Sequence, residues 1–155
     1  MILISKEGKE FKIQRKYVEL SKLLAGQEQN TEPIELLEVD TKTLNLIVDY
    51  LNHFKGVAPL EIEKPLKSNN LKLAIDEWSF NFIDSLSFDD ILELSCAANY
   101  MDIICLVDLV CSKIASMCKD KTQEEISIMF GAKEQFTEEE NLKIKEENKW
   151  IEDNL

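Results

Sequence analysis

Residues 87–119 read SFDDILELSCAANYMDIICLVDLVCSKIASMCK, and this stretch decides the fold because it predicts two consecutive helices. Ser87 is a typical N-cap for a helix over 88–100. Asp102 is expected to open a second helix over 103–119. The start of that second helix is apolar on nearly all sides, which is typical of a helix buried at the centre of a domain.

Upstream of these helices, the first part of the chain predicts short strands. The apolar run 2–5 and the alternating segment 10–14, separated by a turn at Gly8, predict a β-hairpin. Residues 18–24 indicate a short helix that ends near Gly26.

Two further elements precede the central helices. Residues 32–36 alternate again, and Pro33 has no backbone N–H, so this strand is expected to be an edge or to start at its proline. From the N-cap residue Asp40 onward, the spacing of the apolar residues changes to that of a helix with one apolar stripe. That stripe is formed by Leu44, Ile47, Val48 and Leu51.

A long loop and a helical tail complete the pattern. Residues from about 55 to 72 contain glycine, prolines and a Ser-Asn-Asn cluster, and they predict a poorly ordered loop. Thr122–Glu125 and Thr137–Glu140 are Thr-x-x-Glu capping boxes, which predict short helices over 122–130 and 137–150. Strands followed by helices indicate the α+β class.

Composition argues against several classes of partner. The net charge is −12 and the isoelectric point is about 4.6, so phosphate backbones and anionic lipid surfaces are expected to repel the chain. No apolar run approaches the roughly 20 residues that a membrane span requires. The N-terminus lacks the features of a signal peptide, and we expect the protein to be cytoplasmic and nuclear.

The sequence offers little that could carry catalysis or hold a metal or cofactor. The one histidine, His53, lies at a predicted helix end, and the four glycines are too dispersed to form a phosphate-binding loop. The four cysteines form no CxxC pair, and their apolar surroundings predict buried free thiols. We therefore expect neither enzyme activity nor a cofactor or metal.

Four short segments carry a resemblance to a known family. Residues 97–103, AANYMDI, are similar to the AANYLDI segment of the Skp family of ubiquitin-ligase adaptors. Residues 119–126, KDKTQEEI, resemble that family's KGKTPEEI. The sequence FTEEE at 136–140 and KEENKW at 145–150 resemble FTEEE and RKENQW. The segments occur in the family's order and spacing.

The resemblance implies an architecture and two partners. It implies a BTB/POZ domain over 1–119, with a small N-terminal sheet plus helices and the loop at about 55–72 outside both interfaces. A C-terminal helical extension over 120–155 would follow. The protein would bridge a cullin scaffold and F-box substrate receptors in an SCF-type ubiquitin ligase without making bonds itself.

The same resemblance implies residue roles. Asn99 and Tyr100, with Met101 nearby, would face the cullin. The F-box protein would dock on Ile114, Ile126, Phe130, Phe136 and Trp150. The sequence adds a physical reason, because short isolated helices that carry large apolar residues must either fold back on a core or be completed by a partner.

Departures from the family and rival interpretations remain. Ile104 and Cys105 stand where the family usually has a charged residue and glycine, and Gln123 replaces a usual proline.

The alternatives to this function are an Elongin C-like adaptor, a self-associating BTB scaffold without a ubiquitin role, and an enzyme. A weak homodimer is also expected when no F-box protein is bound.

Overall fold

The residues that the structure describes form a small sheet and seven α-helices, and the chain divides into two compact units. The computed structural model describes residues 1–27, 32–68, 70–132 and 136–152, with the side chains of 150–152 outside that description. The first unit is Met1–Lys119 and the second is Asp120–Leu155. The helices in the described ranges are α1 Lys22–Ala25, α2 Thr41–Phe54, α3 Glu77–Asp84, α4 Phe88–Tyr100, α5 Ile104–Cys118, α6 Gln123–Met129 and α7 Glu138–Glu152.

The sheet has three strands in the order β2-β1-β3: β1 is Ile2–Ser5, β2 is Glu10–Lys12 and β3 is Ile34–Leu36. The predicted hairpin is confirmed, because β1 and β2 pair antiparallel with Leu3 opposite Phe11. β3 pairs parallel with β1 at the sheet edge and starts directly after Pro33, as predicted. The short helix predicted over 18–24 is divided into two: Arg15–Leu20 is a 3₁₀ helix, and α1 follows and ends at Gly26 as predicted.

The core of the first unit lies among α2, α4 and α5. The apolar stripe predicted for α2 is buried, and the Asp40 carboxylate caps this helix by accepting hydrogen bonds from the amides of residues 42 and 43. Ion pairs fasten the helices at the surface: Lys42 to Asp90 between α2 and α4, and Lys113 to Asp84 between α3 and α5. Burial of the apolar side chains supplies most of the stability, and the exposed ion pairs add little.

Gly56 allows the end of α2 to pack closely against the 3₁₀ helix. Its φ is +84°, and a Cβ at this position would lie 2.3 Å from the carbonyl oxygen of Lys16. Only glycine avoids both the strain and the clash. The chain therefore leaves α2 along a fixed path into the segment that follows.

The prediction of a poorly ordered loop over 55–72 is wrong for parts of this segment. Ile62 and Leu71 are buried in the core, and the Lys64 ammonium lies 2.7 Å from the Asp108 carboxylate on α5. Residues 71–73 form a 3₁₀ turn. A segment without periodicity gives no signal for such isolated buried side chains, because periodic patterns report only regular elements.

The prediction of buried cysteines is also wrong. The four thiols are free, but Cys96 and Cys111 are exposed, and Cys105 and Cys118 are only partly buried. α5 buries one face, which is formed by Leu106, Leu109, Val110 and Ser112. Cys111 consequently lies on the outer side.

Tyr50 combines complete burial with a hydroxyl group that has no hydrogen-bond partner in the described part of the chain. Its ring packs against Phe54, with ring centroids 4.7 Å apart. Burial raises the pKa of Tyr50, and the neighbouring Cys105 thiol raises it further. Sulfur is a weak hydrogen-bonding group, so the thiol does not replace a proper partner.

We expect Tyr50→Phe to leave the free energy of unfolding unchanged or to raise it by up to about 1 kcal/mol, because a buried unpaired hydroxyl is a cost rather than a gain. Urea denaturation measures the change. Tyr17→Phe, the same chemical change on a partly buried ring, is the control. A clear loss of stability in Tyr50→Phe alone would show that the hydroxyl has a partner in solution.

Candidate functional site

The turn between α4 and α5 carries the first candidate surface. α4 ends in a Schellman motif: the amide of Ile103 donates to the carbonyl of Ala98 at 2.9 Å, and the amide of Asp102 donates to that of Asn99 at 3.1 Å. Asp102 takes the left-handed position of this motif, with φ +49°. It therefore ends the turn and does not cap α5, whose N-cap residue is Ile103.

Contacts with α1 fix this turn in place. The Ser21 hydroxyl donates a 2.6 Å hydrogen bond to the Met101 carbonyl in a fully buried position. The amide of Lys22 donates to the Asp102 carbonyl at 3.2 Å. A surface that is held this firmly loses little conformational entropy when a partner binds.

The turn presents some of the predicted residues and hides one. Asn99 is exposed, and Tyr100 keeps 43% of its surface accessible. Met101, which the sequence placed near the cullin, is fully buried, so it supports the turn from inside and offers no side chain to a partner. Partial exposure of a tyrosine suits an interface because the ring offers a large area together with a polar group.

Ile104 is a residue that the sequence interpretation did not assign to this surface. It is the first residue of α5 and is 52% exposed. The sequence did contain a signal for this residue, because Ile104 stands where the related family usually has a charged residue. The surface formed by Asn99, Tyr100 and Ile104 is called the turn surface below.

The second unit carries the second candidate surface. Ile126 is partly buried on α6, Phe130 follows the end of that helix, and Phe136 precedes α7. Phe130 is 48% exposed and Phe136 is 54% exposed. Further exposed apolar side chains of this unit are Ile128 and Leu142. An unusually large share of its big apolar residues is thus accessible.

Two predicted residues stand apart from this set. Ile114 lies on α5 in the first unit, where it is partly buried and packs against the core. The backbone of Trp150 belongs to α7, and its side chain lies outside the described residues. We call Ile126, Ile128, Phe130, Phe136 and Leu142 the extension surface.

Both predicted capping boxes are confirmed. In the first, the Thr122 amide donates to the Glu125 carboxylate at 2.8 Å, and the Glu125 amide donates to the Thr122 hydroxyl at 3.3 Å. Thr137 and Glu140 form the same pair of hydrogen bonds at 2.8 and 3.3 Å. The backbone amide of the threonine lowers the pKa of each glutamate.

We expect Thr122→Ala to destabilise α6 by about 1 kcal/mol, because it removes an N-cap hydroxyl. The measurement is amide hydrogen exchange over residues 126–130 by NMR, which should become about fivefold faster. Gln123→Ala, at the next residue and without the cap, is the control. Equal exchange rates in the two variants would show that the capping box does not stabilise the helix.

The described residues show neither a metal-binding cluster nor a helix suited to the bilayer. Within those ranges no three histidine, cysteine or acidic side chains converge in a way that could hold an ion. No helix among them combines the length and apolar character of a membrane span.

The fold and the two surfaces define the class of the protein. A three-stranded sheet packed with helices and followed by a separate helical unit is the α+β organisation of a BTB/POZ domain with a C-terminal extension, as predicted. A family model described as the Skp1 family, dimerisation domain, matches residues 105–151.

Similar proteins match over nearly the full chain. An S-phase kinase-associated protein 1 homolog of Tetrahymena thermophila is 36% identical over 154 residues, which cover 97% of this chain and 93% of that protein. An E3 ubiquitin ligase complex SCF subunit sconC of Arthroderma benhamiae is 33% identical, with coverages of 97% and 94%. The sconC subunit of Aspergillus flavus is 31% identical, with coverages of 96% and 94%. The chain belongs to the Skp1 family.

Proposed function

We propose that this chain is an adaptor subunit of an SCF-type E3 ubiquitin ligase that connects a cullin scaffold to F-box substrate receptors. The observation that carries the proposal is the match over almost the whole chain to relatives named as SCF subunits. Membership of the Skp1 family favours this role over an Elongin C-like adaptor or an unrelated BTB scaffold. The adaptor itself makes and breaks no bonds; it brings two proteins together.

The turn surface is the proposed cullin contact. It has the properties of an interface centre: a partly exposed tyrosine, an adjacent exposed isoleucine, and a rigid backbone tied to α1 by Ser21. Asn99 adds an amide that can donate and accept hydrogen bonds at the rim. Met101 acts only by filling the core beneath the turn.

The extension surface is the proposed F-box contact. Its phenylalanines lie between the two helices in the sequence, with Phe130 after α6 and Phe136 before α7. Burying each ring removes well over a hundred Å² from water. That burial is worth roughly 2–3 kcal/mol per ring at about 25 cal/mol/Å². Ile114 and Trp150 complete the proposed set from the resemblance.

The same exposed residues support a second, weaker proposal about self-association. Without an F-box protein, the extension surface leaves apolar area in water, and pairing of two copies would cover it. We propose a weak homodimer that an F-box protein dissociates. Sedimentation velocity across a concentration series tests it, and a strictly monomeric chain at all concentrations would contradict it.

The adaptor role is tested by reconstitution. The full chain, a cullin N-terminal fragment and an F-box peptide are mixed pairwise and together, and light scattering after size exclusion gives the mass of each complex. We expect two binary complexes and one ternary complex of 1:1:1 composition, with no cullin–F-box complex in the absence of the chain. Failure of the ternary complex to form would refute bridging.

We also propose that the chain occurs in the cytoplasm and the nucleus, which imaging of a tagged chain tests.

A further inference from the structure

The first unit contains a cavity of about 840 Å³ beside the end of α2 and the start of α5. Small-molecule sites in proteins typically enclose roughly 300–1,000 Å³ and are mostly apolar with a few polar groups. The apolar part of this cavity includes Leu20, Phe54, Ile62, Ile104 and Leu109. Its size and lining therefore match those of a small-molecule site.

The wall of the cavity is a built structure that is fixed at both ends. It is formed by residues 57–62, which also line the cavity. At one end, Gly56 packs against the carbonyl of Lys16. At the other end, Ile62 is buried and Lys64 pairs with Asp108 at 2.7 Å. A segment anchored in this way can hold one shape around a ligand.

Tyr50 and Cys105 are among the residues that line the cavity, and the Tyr50 hydroxyl lies next to the Cys105 thiol. Tyr50 is fully buried and its hydroxyl oxygen has no accessible surface. The cavity therefore presents mainly apolar area to a ligand at this point.

The charged groups around the cavity are mostly acidic. Five carboxylates line it: Glu19, Glu61, Asp76, Asp102 and Asp108. Three are engaged: Asp76 caps α3 through the Ser79 amide, Asp102 lies 3.6 Å from the Lys22 ammonium, and Asp108 pairs with Lys64. Glu19 and Glu61 form no ion pair or hydrogen bond within the described residues. These two carboxylates favour a cation and disfavour an anion.

We propose that this cavity binds a small organic cation, a molecule with an apolar or aromatic body and one amine group. The body fills the apolar space, and the amine lies near Glu19 and Glu61. The site shares Ile104 with the turn surface and no residue with the extension surface. The inference does not depend on the adaptor role.

The test uses three probes that share one ring system: tryptamine, indole and indole-3-propionate, which are cationic, neutral and anionic. Each is titrated into the full-length ¹⁵N-labelled chain to about 10 mM, a range suited to the weak affinities of fragment-sized ligands. Amide shifts at residues 62, 104 and 109 report on the cavity. We expect tryptamine to bind about tenfold more tightly than indole-3-propionate, with indole between them.

Variants of the two glutamates test whether charge contributes to the binding of the probes. Replacing Glu19 and Glu61 with Gln should weaken tryptamine binding about fivefold, in the range for exposed ion pairs, and leave indole unchanged. Glu35→Gln, at an exposed glutamate on β3 outside the cavity, is the matched control. Equal affinity for the three probes, shifts located elsewhere, or no shifts at all would overturn the proposal.

Discussion

A chain truncated after Lys119 is expected to stay folded, to keep cullin binding and to lose F-box affinity by about thirtyfold or more. The cut falls at the boundary between the two compact units. The first unit retains the sheet and α1–α5 with their common core. The extension surface, with Phe130 and Phe136, is removed as a whole.

The size of the expected loss follows from burial. Two phenylalanine rings alone are worth roughly 4–6 kcal/mol when fully buried, of which part offsets the ordering of side chains at the interface. Loss of even half of that amount lowers affinity by about thirtyfold or more. Isothermal titration with an F-box peptide measures the loss, and circular dichroism with thermal melting reports on the fold.

Point variants test the contribution of the two phenylalanines without shortening the chain. Phe130→Ala combined with Phe136→Ala keeps the chain length and should reproduce most of the loss, whereas Lys143→Ala, at an exposed α7 position, should change nothing. Undiminished F-box affinity in the truncated chain would refute the assignment. Global unfolding of the truncated chain would instead show that the second unit is required by the first.

Local sequence signals predicted local structure well. The Asp40 cap and both capping boxes agree with the sequence-based expectations. Each of these features depends on a few neighbouring side chains that satisfy nearby backbone groups. The hairpin followed from alternation over only a few residues.

Features that depend on tertiary packing were not predictable in the same way. The start of α5 is apolar on nearly all sides, so its sequence does not show that Ile104 and Cys111 face outward while Leu106 faces inward. Met101 follows α4 directly, and only the Schellman turn directs it into the core. The burial of Ile62 depends on the path that Gly56 gives to the following segment. The resemblance supplied the candidate surfaces, whereas the structure supplied their exposure.

Replacing Asn99 and Tyr100 together with Lys is expected to weaken cullin binding by at least about 2 kcal/mol, or roughly thirtyfold in Kd. Both side chains are exposed, so the variant should fold normally. The loss has two causes: the tyrosine ring no longer contributes apolar area, and two ammonium groups must be desolvated at the interface.

The control must add the same charge elsewhere. Leu37→Lys with Leu73→Lys changes two exposed apolar residues, 63% and 77% accessible, that lie outside the turn surface. Because both double variants raise the net charge by a similar amount, a change in long-range attraction would affect them alike. A loss confined to the Asn99 and Tyr100 variant therefore identifies a direct contact.

Surface plasmon resonance separates the loss of a contact from altered long-range attraction. Loss of a contact speeds dissociation, whereas altered long-range attraction mainly changes the association rate. Unchanged cullin affinity in the folded Asn99 and Tyr100 variant would exclude the turn surface as the binding site.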